Sequence, residues 1–306
     1  MSDESTTGST ATDRAYQEIL YSVADKVATI TLNTPERRNA LSFRMRREIV
    51  SAVRIAERDD DVSIVLINAN GPAFCAGYDL KPSVPEANDA TAGHYLPSGG
   101  KSEGWVDSEE FNGWTDQWAR GCLQDWWNLW SCLKPVVAMV HSTCLAGGTE
   151  LMSMCDIVFV AEDARIGYPP MRGMSTPDVP YFPWKMSMAQ AKYLQITGNS
   201  VTGKEAAEMG WVVKSFPADE LAEQTARELR AITTVPVALL SANKQQVNQA
   251  YEIQGMRTHL DQAWSFHQLS GAYRPDAGRF GEIMRADGMK AALQWRDGGF
   301  QEQGFV

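Results

Sequence analysis

Pro72-Ala73-Phe74-Cys75-Ala76-Gly77-Tyr78-Asp79-Leu80 and, farther along, Leu145-Ala146-Gly147-Gly148-Thr149-Glu150-Leu151 are the stretches that decide how this chain is read. Each follows a short apolar run of strand type (64–67, then 136–140), and each leads into a pattern of helical type. Glycine lets a ligand come close to the main chain, and unpaired N–H groups at a helix start attract an anion. Brought together, two such places would form an oxyanion hole. A carboxylate beside it, Glu150, would suit chemistry on a polarised carbonyl, through an enolate or a tetrahedral intermediate.

Outward from these stretches, strand-like and helix-like segments alternate, which indicates an α/β architecture. Residues 18–23 and 27–32 are β-type runs around Ala24-Asp25-Lys26, the pattern of a hairpin. Ser42 is placed to cap a helix through about residue 57, with Met45, Ile49, Val53 and Ile55 at apolar positions. Residues 62–68, 136–141 and 156–161 read as strands, and 147–154 as a helix with Glu150 in its first turn. Helices over 189–197 and 204–209 close on Gly198 and Gly210, and 211–213 is strand-like. Further helices are expected over 220–233, 237–254, 258–270 and 279–293. The domain reading is a disordered tail at 1–15, a core at 16–215 with a lid-like insertion at about 81–125, and a helical region at 216–306. Six tryptophans lie between Trp105 and Trp130. They suit a helix with core-facing rings or an aromatic wall on the substrate pocket.

The bulk composition narrows the function. A chain of 306 residues with 44% hydrophobic residues can bury a sizeable core. Lys+Arg 28 against Asp+Glu 38 gives a net charge of −10, which argues against nucleic acid or an anionic membrane as the main partner. Anionic small molecules stay possible through a local basic patch. The five cysteines form no CxxC pair and read as reduced, buried thiols of a cytoplasmic protein. Cys75 could be a nucleophile, but no base is assigned to it. No signal peptide and no bilayer-length apolar run is seen. His94, His141, His259 and His267 show no metal-ligand spacing, so no metal is expected.

At this point the chain resembles the crotonase (enoyl-CoA hydratase/isomerase) superfamily. The likeness is carried by 27–33 with Pro35 and Asn39-Ala40-Leu41, by the first glycine stretch, and by Lys134-Pro135-Val136-Val137-Ala138. It continues through the second glycine stretch, Cys155-Asp156-Ile157, and Thr197-Gly198 to Gly210, and ends with Lys290-Ala291-Ala292-Leu293-Gln294-Trp295-Arg296-Asp297. The resemblance implies a spiral of ββα units with a helical C-terminal trimerisation region, a homotrimer or dimer of trimers, and an acyl-CoA thioester substrate. It implies no separate cofactor, because coenzyme A is part of the substrate. The oxyanion donors map onto the main-chain N–H groups of Tyr78 and Gly147. Substrate and coenzyme A contacts map onto Arg37 and Arg38 (which could equally be solvated surface charges), Ala76, Asp79, Leu80 and Gly148.

The catalytic acids depart from the family pattern. The first maps onto Glu150. The second would lie within Phe/Ile-Gly-x-Pro-Glu, but the chain reads Ile166-Gly167-Tyr168-Pro169-Pro170, so a proline stands at that position. Eight residues later comes Asp178, at the offset where dienoyl-CoA isomerase and 4-chlorobenzoyl-CoA dehalogenase place a functional aspartate. Asp178 could also be a turn residue before Val179-Pro180. The resulting expectation is hydration of a trans-2-enoyl-CoA, with Glu150 positioning or deprotonating water and Asp178 handling the second proton. The alternatives are an enoyl- or dienoyl-CoA double-bond isomerase, a CoA-independent C–C hydrolase of a cyclic diketone, and a non-catalytic acyl-CoA binder.

Overall fold

Two neighbouring residues with positive φ, Asp25 at 50° and Lys26 at 65°, fold the start of the chain back on itself. This is the backbone demand of a two-residue hairpin turn. It pairs β1 (Ile19–Ala24) antiparallel with β2 (Val27–Leu32). The computed structural model describes residues 16–80, 118–272 and 274–305. The tail at 1–15, most of the insertion, and Trp105 and Trp114 lie outside the described residues.

After β2, helix α1 (Phe43–Arg58) starts where Ser42 accepts a hydrogen bond from the Met45 N–H at 3.0 Å. Such a cap contributes about 1 kcal/mol. Met45, Ile49, Ala52, Val53 and Ala56 turn one stripe of α1 into the core. Then follow β3 (Ile64–Ala69), α2 (Trp118–Ser131), β4 (Val136–Val140), β5 (Thr143–Leu145), α3 (Gly147–Ser153), β6 (Ile157–Ala161) and β7 (Arg165–Gly167). Next come α4 (Phe182–Lys185), α5 (Met188–Thr197), β8 (Ser200–Thr202), α6 (Gly203–Glu208) and β9 (Lys214–Phe216). The chain ends in α7 (Leu221–Ile232), α8 (Val237–Ile253), α9 (Met256–Asp261), α10 (Ala263–Ala272), α11 (Arg279–Asp287) and α12 (Met289–Gln301).

One sheet runs β1-β2-β3-β4-β6-β9, parallel from β2 onward, and a second runs β5-β7-β8. The chain passes from the first sheet to the second at β4–β5 and again at β6–β7, so each turn adds a strand to both. This is the expected ββα spiral with a helical C-terminal region. Because β3 and β4 are parallel neighbours, the loops that leave their carboxyl ends emerge side by side. The loop after β3 is the first glycine stretch, and the one after β4 leads through β5 into the second.

Four expectations are corrected. The insertion does not extend to 125: α2 begins at Trp118, Asp125 pairs with buried Arg46 at 2.6 Å, and Trp126 is fully enclosed. Residues 211–213 are not a strand, because the N–H groups of Trp211 and Val212 both close back on the Ala206 carbonyl. Pairing along β6 therefore starts later and gives β9. The helix expected over 258–270 is two, α9 and α10. Bonds of the tighter i to i+3 type, from Gln262 N–H to His259 and from Ser265 N–H to Gln262, separate them. The helix expected over 279–293 also divides, at Gly288, whose φ of 87° ends α11.

Candidate active site

Main-chain hydrogen bonds strap the first glycine stretch on both sides. On one side the Leu41 N–H donates to the Gly77 carbonyl (2.8 Å), the Asp79 N–H to Leu41 (3.1 Å) and the Ala76 N–H to Arg38 (3.0 Å). On the other, the Cys75 N–H donates to Thr143 (3.0 Å) and the Leu145 N–H to Cys75 (2.9 Å). Buried Asn39 adds a side-chain clasp: it accepts from the Thr34 N–H and donates to the Asn70 and Ala73 carbonyls, each at 2.8 Å.

The two glycine stretches therefore converge. Gly77, at φ 107°, is so tightly set that a β-carbon there would lie 2.8 Å from Ala146 Cβ and 3.6 Å from the Gly147 nitrogen. At Gly148 an added carbon would meet the Cys75 side chain within 3 Å, and at Gly147 it would meet the Tyr78 ring at 2.7 Å. The Gly147 N–H heads α3 and has no acceptor among the described residues. Ala146, which precedes it, holds a positive φ of 50° without being glycine, a strained backbone position.

Glu150 stands in the first turn of α3 with no exposure to solvent. Its Oε2 accepts from the Tyr78 phenol at 2.5 Å and its Oε1 from the Asp178 main-chain N–H at 2.9 Å. The Tyr168 hydroxyl also lies close enough to favour its charged form. Burial pushes its carboxyl up to about 8, the nearby Asp178 charge adds to the rise, and the hydroxyl partners oppose it. Asp178 is not a solvated turn residue: it is 3% exposed, and its Oδ1 lies 3.2 Å from His267 Nδ1 of α10. The structure thus brings Glu150 and Asp178 together, 28 residues apart in sequence.

The other expected residues are placed less uniformly. Arg37 is held by Glu18 at 2.6 Å and by Asp79 at 2.9 Å, so Asp79 directs its carboxylate at this guanidinium. Arg38 is exposed, in a left-handed turn at φ 53°. Ala76 and Leu80 are half-buried beside the Tyr78 main chain, and Gly148 is buried behind it. All five cysteines are free and buried, and burial pushes the Cys75 thiol up to about 12, away from the thiolate a nucleophile requires. Among the described residues no cluster of His, Cys, Asp or Glu could hold a metal ion.

Sequence reasoning missed four contributors. The side chain of Tyr78 bonds to Glu150, where only its N–H was expected to act. Trp126 donates its indole N–H to the same phenol at 3.0 Å, so one tryptophan is both core and site wall. Tyr168 occupies the x position of the altered motif and supplies a hydroxyl two residues before Pro170. His267 arrives from the far end of the chain. A tyrosine inside a glycine stretch was a visible signal for the first; nothing local marked the others.

Known proteins match this chain over most of its length. The family model described as enoyl-CoA hydratase/isomerase matches residues 27–273. The chain is 33% identical over 267 residues to EchA13 of Mycobacterium tuberculosis, assigned by name as an enoyl-CoA hydratase, covering 85% of this chain and 82% of that one. It is 28% identical over 242 residues to the 2,3-dehydroadipyl-CoA hydratase of Escherichia coli, covering 77% and 84%. Among solved structures, an enoyl-CoA hydratase/isomerase from Xanthobacter autotrophicus Py2 superposes with a TM-score of 0.80 at 35% identity, covering 93% of this chain and 98% of that one. An enoyl-CoA hydratase from Mycobacterium smegmatis gives 0.79 at 31% identity, covering 92% and 94%.

Proposed function

This chain belongs to the enoyl-CoA hydratase/isomerase family, and we propose that its reaction is the hydration of a trans-2-enoyl-CoA thioester. The observation that carries this reading is a solvent-free Glu150 set against Asp178 and next to the open N–H of Gly147. The thioester oxygen would sit between the N–H groups of Tyr78 and Gly147. Arg37, Arg38, Ala76, Asp79, Leu80 and Gly148 remain the proposed neighbours of the coenzyme A portion. The sequence suggested Glu150 for the water and Asp178 for the other proton. Burial argues for exchanging the roles, since a carboxyl raised to about 8 holds its proton at neutral pH.

In this scheme Asp178 takes a proton from water as the water oxygen bonds to C3. The electron pair moves into the thioester as an enolate, whose oxygen the two N–H groups hold. Glu150 then delivers its proton to C2. The hydrogen bond from Asp178 N–H to Glu150 keeps the pair adjacent for the proton that must return between them. A donor of the oxyanion hole and a general acid or base each contribute on the order of a hundred- to a thousandfold in rate.

No cofactor beyond the substrate's own coenzyme A is needed for these steps. A homotrimer or dimer of trimers, in a cytoplasmic setting, would cover the exposed Ile196, Ile253 and Phe266 on α5, α8 and α10. Among the described residues no helix is long and apolar enough to cross a membrane. The test is a panel of 2-enoyl-, 3-enoyl- and dienoyl-CoA substrates in ¹⁸O-labelled water. Label at C3 of a 2-enoyl substrate is expected. Products without label would assign double-bond migration instead, and binding without turnover would assign a silent acyl-CoA binder.

A further inference from the structure

We infer that His267 is a positioning residue that anchors the Asp178 carboxylate in the site from helix α10. This rests on the reading of Glu150 and Asp178 as the proton-handling pair and adds a residue that the family motifs do not include.

Asp178 lies on a segment without regular secondary structure, between the 3₁₀ turn Pro169–Arg172 and α4. Its N–H is fixed by Glu150, but that bond does not aim the side chain. The His267 ring does so by contact, its Nδ1 lying 3.2 Å from Asp178 Oδ1 as an ion-pair approach rather than an aligned hydrogen bond, and the main chain of Thr176 in the same segment lies nearby. A carboxylate and, two residues before it, a main-chain carbonyl thus lie near one ring. An imidazolium has two N–H donors for them, whereas a neutral imidazole has one.

The surroundings favour the charged form. Among the described residues, the groups that sense the Asp178 charge include Tyr78 from the first glycine stretch, Cys122 of α2, Glu150 of α3, Tyr168 before the 3₁₀ turn, and His267. Of these, His267 is the one that can carry positive charge. Burial by itself lowers the histidine's basicity, but the adjacent Asp178 carboxylate and the nearby Thr176 main chain outweigh it, so the net direction is upward. His267 side-chain exposure is 18%, against 4% for Asp178, so the cation closes the outer side of the pair. Burial is the larger reason that Glu150 keeps its proton, and a negative Asp178 adds to it. The contact from α10 thereby maintains one base and one acid in a single pocket.

The experiment combines histidine NMR of the whole protein with kinetics on a 2-enoyl-CoA. The His267 resonance, assigned by its loss in His267→Gln, is expected to titrate above the ordinary histidine value of about 6.5. It should fall in Asp178→Asn. His267→Ala should lower kcat by about ten- to a hundredfold, the scale expected when a catalytic group shifts by about an ångström. KM should change little, and His267→Gln, which retains an N–H donor, should recover part of the loss. In an Asp178→Asn background, His267→Ala should cost nothing further, a non-additivity that a purely structural histidine would not show. With Glu150→Gln inactive, an ordinary His267 titration, undiminished kcat in His267→Ala, or additive losses would overturn this inference alone. Full activity of Glu150→Gln would overturn the reading of the site and this role with it.

Discussion

Two buried carboxylates stand at opposite ends of the same strands. Asp156, just before β6, accepts from Lys244 at 2.7 Å and from the Val136 N–H at 2.7 Å, beside a groove of about 510 Å³ lined by Trp130, Trp184, Lys185 and Tyr251. Burial raises its carboxyl, and the Lys244 charge opposes that rise. At the other end, Glu150 has hydroxyl and N–H partners and a second carboxylate, and among the described residues no lysine or arginine is bonded to it. A buried acid given a cation is fixed in one state, while a buried acid given another acid is held near the point of exchange. A well-formed groove thus stands beside the quieter carboxylate, and a cavity by itself is a poor guide to chemistry here.

This contrast can be broken most sharply at Glu150. Glu150→Gln should lower kcat on the order of a thousandfold. Stability should move the other way. The folded carboxyl is raised to about 8 against an unfolded value near 4.5, so the folded state binds more protons and loses stability as pH climbs between those values. Thermal scans should therefore show Glu150→Gln melting above the native protein at pH 8, with the gap closing toward pH 5. A gap that widens at low pH would contradict the burial argument.

Lys244→Met tests the opposite end. It strands Asp156 and removes donors to the Leu129 and Lys134 carbonyls, so unfolding in denaturant should become easier by roughly 3–5 kcal/mol. The kcat of the folded fraction should stay unchanged. Tyr78→Phe keeps the main-chain N–H but removes the phenol bond to Glu150, and a loss of about 1–2 kcal/mol, or roughly tenfold in kcat, is expected from steady-state kinetics. The smallest effect is expected at Ser42→Ala, about 1 kcal/mol of stability by denaturant titration, with activity intact.

The legible parts of the molecule were those governed by local rules. The hairpin around Asp25-Lys26, the Ser42 cap and the left-handed ends at Gly198 and Gly210 need only their neighbours in sequence. Convergence of the two glycine stretches followed from parallel strand pairing. The strands β5, β7 and β8 have three residues each, too few for any alternation to register. The divided helices depended on the Gly288 backbone and on tighter bonding around Gln262. His267 was invisible for another reason: it lies 89 residues beyond Asp178, between Phe266 and Leu269, and only the packed fold gives it an address. Pro170 and the offset of Asp178 were both readable from the motif; that a histidine from α10 stands beside Asp178 was not.

The straps between residues 75 and 143–145, and between 77–79 and 41, are made by peptide groups alone. Peptide groups do not change when side chains do. Mutation can therefore repaint the pocket walls, including the tyrosine that bonds to Glu150 and the tryptophan behind it, while the two main-chain stretches stay in register. A scaffold of this kind is free to drift among substrates over evolutionary time, and it offers a library designer many positions to randomise around an unmoving anchor.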